Sequence, residues 1–296
     1  MNMTNRLNKP EYLYRPAQLL NAIRFLRCTH DSEVIVRLPW GLRLTINPRE
    51  TLGRAVMRLG VYDLSVTEAI YRLLDPGENA IDVGANIGYM TSLMAAKVGG
   101  SGGVQSFEPH PDVFAKLFKN ADRWQAEEIK CTLSISPTAM SSRNGVATLR
   151  VPDGFEANEG LASLERHDGH IGIEVPIRRL DNIVMMKKIA LMKIDVEGHE
   201  LQVLLGAGSM ITNHQVRDIL FEEEAVYPTE TTSYLEQHGY KIYGLGMRFS
   251  GPIIADAPLI NKVPRRAWEP RSLLATCVED RVKERLRFRG WSVLHL

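Results

Sequence analysis

The central part of the chain alternates short apolar runs with stretches whose apolar residues recur every three or four positions. The short runs predict β-strands at residues 79–83, 103–107, 131–135, 191–195 and 219–222. The helical spacing between them predicts helices at 89–97, 112–121 and 200–205. Apolar strands that alternate with amphipathic helices are typical of an α/β protein whose mostly parallel sheet carries helices on both faces.

The pattern changes on either side of these elements. Residues 33–46 alternate apolar and polar positions around Pro39-Trp40-Gly41, which predicts two strands joined by a tight turn. A helix is predicted at 65–74, where Ser65 and Glu68 form the signature of a capping box. Between 146 and 176, strand-like pieces separated by Gly, Asp and Asn predict an inserted hairpin with loops.

These patterns divide the chain into three regions. Residues 1–55 form an N-terminal extension with a predicted helix around Leu19, Leu20, Ile23 and Leu26 that packs on the main domain. Residues 56–250 form the main α/β domain. Residues 251–296 are richer in Arg and Lys and less periodic, so we expect them to pack on the domain or close over one face, with a flexible tail as the alternative.

Composition narrows the class of protein. A chain of 296 residues with 44% hydrophobic and 24% charged residues has the ordinary composition of a globular protein. The formal net charge of +1 gives no overall attraction to a polyanion such as nucleic acid. Three dispersed cysteines, no apolar signal-peptide core and no run of about 18 apolar residues favour a cytoplasmic protein without a membrane span.

The segment AIDVGANIGY, residues 80–89, is a buried strand that leads through a glycine turn into a helix. Ligands of doubly wound sheets bind at such a turn. Gly84 permits a close backbone approach or a positive φ, and Gly88 permits the following helix to pack tightly against the strand. The free N–H groups of the helix start favour a carboxylate, and Asp82 suits a cationic amino group. This combination fits the amino-acid end of S-adenosylmethionine better than a pyrophosphate, and the G-x-G-x-x-G pattern of dinucleotide sites is absent.

The second strand ends at Glu108. An acidic residue at this point can accept hydrogen bonds from both ribose hydroxyls of a nucleoside ligand. We therefore expect Glu108 to bind the ribose of the cofactor.

A second acidic cluster lies in MKIDVEGHE, residues 192–200. Its strand should end at the same sheet edge as the strands that carry Asp82 and Glu108. His199 is a candidate general base, Asp195 orients the base or the cofactor, and Lys193 stabilises a developing oxyanion. The alternative is that Glu197 and Glu200 charge a helix N-terminus favourably and His199 is exposed.

Other acidic and histidine residues give weaker patterns. Glu222 ends a strand and either reaches the same cleft or belongs to an exposed charge run, Glu222 to Glu224. Two carboxylates, from Asp195 and Glu222, are too few to indicate a magnesium site, and the sequence His167-Asp168-Gly169-His170 is typical of a surface loop. We therefore predict no metal.

At five stretches the sequence resembles the FkbM-type methyltransferase family: ENAIDVGANIGYMTSLMA, FEPHPDVFAKLFKN, TAMSSRNGVATLRV, VPIRRLDNI and LMKIDVEGHELQVLLGA. The resemblance runs from about residue 60 to 240 and implies a Rossmann-like methyltransferase fold with S-adenosylmethionine as methyl donor. It also implies O-methylation of a sugar or natural-product hydroxyl.

Residue roles follow from the resemblance. Asp82, Gly84, Asn86 and Gly88 would line the methionine end of the cofactor, and Glu108 would bind its ribose. Residues Ala139 to Ser141 would lie near the adenine, and Asp195 and Glu197 would face the site of methyl transfer.

The leading hypothesis is thus an S-adenosylmethionine-dependent O-methyltransferase for a saccharide or another small molecule. The alternatives are an RNA methyltransferase, a non-catalytic binding module and, more distantly, a nicotinamide dehydrogenase. A local basic patch would support the RNA hypothesis; its members are Arg265, Arg266, Arg271, Arg281, Lys283, Arg285, Arg287 and Arg289. The identity of the acceptor and the oligomeric state stay open at this point.

Overall fold

The structure is a computed structural model that describes residues 10–16, 18, 20, 33–127, 129–152, 154–155, 158–164, 171–264 and 271–296. Several predictions concern residues outside these ranges. They are the N-terminal helix at Leu19, Ile23 and Leu26, the loop His167 to His170, and the basic residues Arg265 and Arg266.

An eight-stranded sheet forms the centre of the molecule. Its strands are β3 (Asn79–Val83), β4 (Gly103–Phe107), β5 (Thr132–Ser136), β9 (Ile189–Ile194), β10 (Val216–Glu223), β11 (Lys241–Arg248), β12 (Gly251–Ala255) and β13 (Arg271–Thr276). Their order across the sheet is β12-β11-β13-β10-β9-β3-β4-β5. The five adjacent strands β10, β9, β3, β4 and β5 run parallel to one another. Strand β13 pairs antiparallel with both β10 and β11. The predicted α/β class with its Rossmann-like sheet is confirmed, and each of the five predicted strands is present with ends shifted by at most three residues.

Helices cover both faces of this sheet. They are α1 (Pro10–Tyr14), α2 (Thr51–Leu59), α3 (Leu64–Leu73), α4 (Tyr89–Val98), α5 (Pro111–Glu127), α6 (Leu180–Ile183), α7 (Glu200–Gly206), α8 (Gly208–Thr212), α9 (Glu230–Gln237) and α10 (Glu279–Leu286). Successive strand residues point to opposite faces and enter two separate cores. On β9, for example, Leu191 packs in the core with α3, α4 and α10, whereas Met192 packs in the core with α7, α8 and α9.

The start of α3 differs from the prediction. The helix begins at Leu64, and its N-cap is Asp63, whose carboxylate accepts from the backbone N–H of Val66 at 3.2 Å. The predicted capping box of Ser65 and Glu68 is wrong. Glu68 is fully buried and accepts from Arg72 at 2.6 Å and from two backbone N–H groups near the C-terminus, those of Ser292 and Val293.

The predicted N-terminal hairpin is present as β1 (Val34–Arg37) and β2 (Arg43–Ile46), which pair antiparallel. It packs on α5. The side chain of Asn120 accepts from the backbone N–H of Thr45 at 2.9 Å, and the Trp124 indole donates to the carbonyl of Arg43 at 2.6 Å. These contacts join the hairpin to the main domain.

The predicted inserted hairpin is also present. Strands β7 (Gly145–Val151) and β8 (Ile171–Arg178) pair antiparallel, and β6 (Ala139–Met140) adds to β8 in parallel. This small sheet has its own apolar cluster, formed by Ala139, Leu149, Val175 and Ile177.

The C-terminal region does more than pack on the domain. Strand β13 lies inside the central sheet between β10 and β11, and Leu274 and Ala275 are fully buried there. The division at residue 250 is therefore not a structural boundary, because the sheet closes only with residues that follow it. Within the described ranges, no helix has both the length and the apolar character needed to cross a lipid bilayer.

Candidate active site

A cavity of about 990 Å³ lies where the strands β3, β4, β9 and β10 end. Its walls include the loops that leave these four strands and the segment between α2 and α3. Carboxyl ends of neighbouring parallel strands meet at one edge of a sheet, which is where α/β proteins bind ligands. The volume lies at the upper end of the usual range for small-molecule sites, about 300–1,000 Å³.

Gly84 turns the chain at the end of β3, with a φ of +75°. A Cβ placed on Gly84 would lie 1.8 Å from the backbone oxygen of Asp195. The positive φ was expected, but the close neighbour of Gly84 is the backbone that follows β9. Any side chain at residue 84 would therefore push apart the two loops that carry the candidate site.

Gly88 and Asn86 shape the rest of this turn. Gly88 has a φ of +94°, and a Cβ there would lie 2.7 Å from Leu117 and 2.8 Å from Trp124, both on α5. Close packing at Gly88 is thus against α5 and not against the strand, as the sequence suggested. Asn86 also has a positive φ, of +50°, and its side-chain oxygen accepts from the backbone N–H of Ile87 at 2.6 Å.

Glu108 lines the cavity at the end of β4 and is only 8% exposed. One carboxylate oxygen accepts from the backbone N–H of Asn86 and the other from that of His110, each at 2.9 Å. Burial raises the pKa of Glu108 to about 7, although these two hydrogen bonds act in the opposite direction. Each oxygen keeps accepting capacity for a second donor.

Lys193 lies between two carboxylates under the cavity. Its ammonium group is 3.2 Å from Asp195 and 3.6 Å from Asp82, and it donates to the carbonyl of Gly84 at 3.0 Å. Burial alone would lower the pKa of Lys193, but the charges of Asp195 and Asp82 outweigh burial and raise it. Lys193 is therefore a cation that holds the Gly84 turn against the loop after β9.

Asp82 is fully buried and does not line the cavity. Its carboxylate accepts from the hydroxyl of Thr91 at 2.6 Å. Burial raises the pKa of Asp82, and the nearby Lys193 acts in the opposite direction. The cation that Asp82 faces is thus Lys193, whereas Asp195, which is about one-third exposed, borders the cavity.

The turn after β9 holds its shape through Glu200. Glu197 and Gly198 have φ values of +51° and +94°, and the Glu200 carboxylate accepts from the backbone N–H groups of Val196 and Gly198, both at 3.3 Å. Burial raises the pKa of Glu200 to about 7. Glu197 lines the cavity.

His199 and Ser141 form a pair. The His199 ring is only 8% exposed, so it is not the exposed residue of the alternative interpretation, and its Nε2 is 3.0 Å from the hydroxyl of Ser141. His199 lines the main cavity and also a smaller one of about 230 Å³, which Ser141 lines as well. Ala139 lines the main cavity.

Sequence patterns missed two residues of this site, Tyr62 and Asp63, and left the placement of Glu222 open. All three line the cavity at the end of β10, beside Asp195. Asp63 and Tyr62 come from the segment before α3, which had no recognisable motif. The structure places Glu222 in the cavity wall. Phe221 on β10 pairs with Ile194 on β9, and Glu222 and Asp195 are the residues that directly follow this pair. Among the described residues, no group of three or more His, Cys, Asp or Glu side chains is arranged to hold a metal ion.

The profile of the family described as "Methyltransferase FkbM domain" matches residues 82–242, more than half of the chain. The hexuronic acid methyltransferase AglP of Haloferax volcanii is 27% identical over 214 residues, which are 67% of this chain and 77% of that protein. The 31-O-demethyl-FK506 methyltransferase FkbM of Streptomyces tacrolimicus is 29% identical over 196 residues, 57% of this chain and 75% of that protein.

Among solved structures, methyltransferase FkbM from Methylobacillus flagellatus KT has 18% sequence identity and a TM-score of 0.43. The match covers 78% of this chain, which spans 62% of that structure. The family profile runs from Asp82 through both loops of the candidate site to β11. This chain is a methyltransferase and belongs to the FkbM methyltransferase family.

Proposed function

We propose that the protein is an S-adenosylmethionine-dependent O-methyltransferase that acts on a hydroxyl group of a saccharide or another small molecule. The observation that carries the cofactor assignment is the buried carboxylate of Glu108, which borders the cavity beside the Gly84 turn. When bound, the cofactor would supply an electrophilic methyl group on a sulfonium.

The residues at the ends of β3 and β4 fit such a nucleoside. Both oxygens of Glu108 are oriented by backbone N–H groups and retain accepting capacity, which suits two ribose hydroxyls. Ala139 borders the same part of the cavity, and we assign it to the adenine side, with Ser141 behind it. The turn from Gly84 through Asn86 to Gly88 would line the methionine end.

Asp82 and Lys193 have a positioning role in this proposal. Lys193 connects Asp82, Asp195 and the carbonyl of Gly84, so it fixes the distance between the turn after β3 and the turn after β9. Methyl transfer requires the acceptor oxygen in line with the sulfonium methyl, and a small displacement of either turn disturbs that alignment. Asp195 and Glu197 face the acceptor, because both line the cavity after β9.

We keep His199 as the candidate base for the acceptor hydroxyl. The hydroxyl must lose its proton as its oxygen bonds to the methyl carbon. Ser141 contacts Nε2 of His199 at 3.0 Å and so restricts the orientation of the ring. Replacement of His199 by Ala should lower turnover and leave cofactor binding intact.

A saccharide or small-molecule acceptor agrees with the names of the two relatives, one a hexuronic acid methyltransferase and the other a 31-O-demethyl-FK506 methyltransferase. We do not propose RNA as acceptor, because several residues of the basic patch are engaged within the protein. Arg281 and Arg285 contact Asp75 at 2.9 and 2.8 Å, and Arg271 donates to the carbonyls of Glu224 and Ala225.

The test is isothermal titration of S-adenosylmethionine and S-adenosylhomocysteine, with NAD as a comparison, into the wild type and Glu108→Gln. We expect micromolar binding of both sulfur ligands, about −8 kcal/mol, and none of NAD. Glu108→Gln should weaken binding by at least about tenfold, because hydrogen bonds to a charged group contribute about 1.5–3 kcal/mol.

The matched control is Glu223→Gln, which removes the same charge at the opposite end of the cavity. It should leave cofactor affinity within about twofold of the wild type. Absence of binding by either sulfur ligand to folded protein, or equal loss in both variants, would contradict the cofactor assignment.

A further inference from the structure

A basic and aromatic surface lies beside the cavity, where the chain leaves β11. Strand β11 pairs antiparallel with β13, which pairs antiparallel with β10, so β11 and β10 end at the same edge of the sheet. Met247 on β11 lines the cavity. Arg248 ends the strand directly after it, and Phe249 follows. The residues at the end of β11 are therefore neighbours of the candidate site.

The turn after α10 joins this surface through backbone contacts. The N–H of Gly290 donates to the carbonyl of Ser250 at 2.7 Å. The Trp291 indole donates to the carbonyl of Phe249 at 3.3 Å. Five exposed side chains flank these contacts and form a surface that we call the basic rim: Arg248, Phe249, Arg287, Phe288 and Arg289.

A buried ion pair fixes the turn after α10. The guanidinium group of Arg72, which is only 8% exposed, donates to the carbonyls of Phe288 at 2.7 Å and of Gly290 at 2.8 Å. Glu68 accepts from Arg72 at 2.6 Å. Since the contacts to Arg72 are made by backbone carbonyls, the turn does not depend on the exposed side chains of residues 287–289 for its position.

The charge of the basic rim is positive. The segment 283–289, KERLRFR, carries four basic residues and one acidic residue. Lys283 and Arg285 form ion pairs within the protein, with Glu279 and Asp75. The charges of Arg287 to Arg289 and of Arg248 lie at exposed positions, where they attract an anionic surface.

Two aromatic rings lie among these charges. Phe249 is 44% exposed and Phe288 is 57% exposed. The guanidinium group of Arg287 lies over the ring of Phe288, 5.0 Å from its centroid. At the surface of a bilayer such a ring can enter the boundary between headgroups and acyl chains, while the guanidinium group stays with the headgroups. Charge and apolar area thus favour the same partner.

We propose that the basic rim docks the protein on the surface of an anionic lipid bilayer and so places the cavity beside the lipid headgroups. The inference goes beyond the proposed function, since neither cofactor nor acceptor takes part in the contact. Arginines also attract nucleic acid, but an RNA acceptor would bring phosphates into a cavity whose wall includes Glu222, Glu223 and Glu224. A bilayer surface stays outside the cavity.

The test is co-sedimentation of the full chain with lipid vesicles. One set of vesicles is phosphatidylcholine alone, and the other contains about one-third phosphatidylglycerol, which makes the surface anionic. At about 0.05 M salt we expect partitioning into the anionic vesicles to be at least about thirtyfold stronger. At about 0.5 M salt most of this difference should disappear, because the charges of the basic rim are then screened.

The double variant Arg287→Gln/Arg289→Gln removes two charges and keeps the backbone contacts of the turn. Its binding to anionic vesicles should fall by at least about tenfold, because each Arg near an anionic surface contributes about fivefold. The matched control is Lys119→Gln/Lys130→Gln. It removes two exposed charges from α5 and from the residues before β5, at the opposite edge of the central sheet, and should bind like the wild type.

The variant Phe288→Ser removes a ring and keeps every charge. Binding to anionic vesicles should fall on the order of fivefold, since a partly exposed ring no longer leaves water, and the remaining binding should keep its salt dependence. The matched control is Phe118→Ser, because Phe118 is 55% exposed on α5. Thermal unfolding of each variant within a few degrees of the wild type shows that it is folded.

Three results would overturn the proposal: equal partitioning into neutral and anionic vesicles, unchanged binding by Arg287→Gln/Arg289→Gln, or an equal loss in the lysine control. Tighter binding of a single-stranded oligouridylate than of anionic vesicles, measured by fluorescence anisotropy, would assign the basic rim to nucleic acid and would also overturn it. Because the assay contains no cofactor, its result is independent of whether S-adenosylmethionine binds.

Discussion

The carboxyl group of Glu108 accepts hydrogen bonds from two backbone N–H groups, and burial strongly raises its pKa. Two backbone N–H groups favour its charged form, but burial disfavours that form more and raises the pKa from an ordinary 4.5 to about 7. The group is therefore half ionised near neutral pH. A ligand that donates hydrogen bonds to the charged form binds more tightly as the pH rises through this value.

Cofactor affinity should therefore increase with pH, because Glu108 becomes ionised. Between pH 6 and pH 8 the ionised fraction of a group with a pKa of about 7 rises about tenfold, so S-adenosylhomocysteine should bind up to about tenfold more tightly at pH 8. Titration calorimetry at both pH values measures the change. In Glu108→Gln the affinity should not follow this profile; the same pH dependence in that variant would assign the titration to another group.

At the scale of single residues, the sequence predicted where the strands end but not which side chains contact one another. Asp82, Glu108 and Asp195 lie at or directly after the ends of β3, β4 and β9, because strand ends follow from the apolar pattern. Ala139 and Ser141 instead lie in or directly after β6 of the small sheet. The partners Lys193–Asp82 and His199–Ser141 are separated by more than 50 residues in sequence, so no local spacing reveals them. Tyr62 and Asp63 could not be predicted for the same reason, because their place in the cavity wall depends on how α3 packs.

The turn between β9 and α7 is the element on which the candidate site depends most. Glu200 stabilises this turn, since one of its carboxylate oxygens accepts from the backbone N–H groups of both Val196 and Gly198. The folded-state pKa of about 7 is raised above the ordinary 4.5, so the folded protein holds a proton that the unfolded chain releases between these values. The contribution of Glu200 to stability is therefore complete below about pH 4.5 and is lost as the pH rises through 7.

Glu200→Gln should remove this pH dependence, because the amide oxygen still accepts from the two N–H groups and carries no charge. Relative to the wild type, the variant should gain stability between pH 5 and pH 8, on the order of 1–3 kcal/mol. Urea unfolding at both pH values gives the free energy of unfolding for each protein. A constant difference between variant and wild type across this range would show that Glu200 does not titrate there.

Elements were predicted well where their residues are buried on both faces and poorly where charge interrupts the pattern. Strand β9 has six buried residues in succession and was found almost to its ends. Strand β13 begins with Arg271 and Ser272 and is preceded by a basic stretch, so its apolar core of Leu273 to Ala275 is short. Its position between β10 and β11 follows from pairing with strands about 30 and 50 residues earlier, which local periodicity does not encode.

The C-terminal region completes the fold through contacts at three separate places. Strand β13 fills the space between β10 and β11, α10 packs its Val282 and Leu286 in the core with α3, and the buried Glu68 accepts from Ser292 and Val293. On the surface, Asp75 binds Arg281 and Arg285. Although burial raises the pKa of Asp75, the hydrogen bonds from these arginines outweigh it and lower the pKa.

A chain that ends at residue 250 should therefore fail to fold, although it contains the whole region matched by the family profile. Removal of β13 leaves two strand edges unpaired inside the sheet, and removal of Trp291 and Val293 opens the apolar cluster around Val61 and Leu64. Circular dichroism and thermal unfolding should show no cooperative transition for the shortened chain, in contrast to the full chain. If the shortened chain unfolded cooperatively within a few degrees of the full chain, the C-terminal region would be an appendage, and the sheet would be complete without β13.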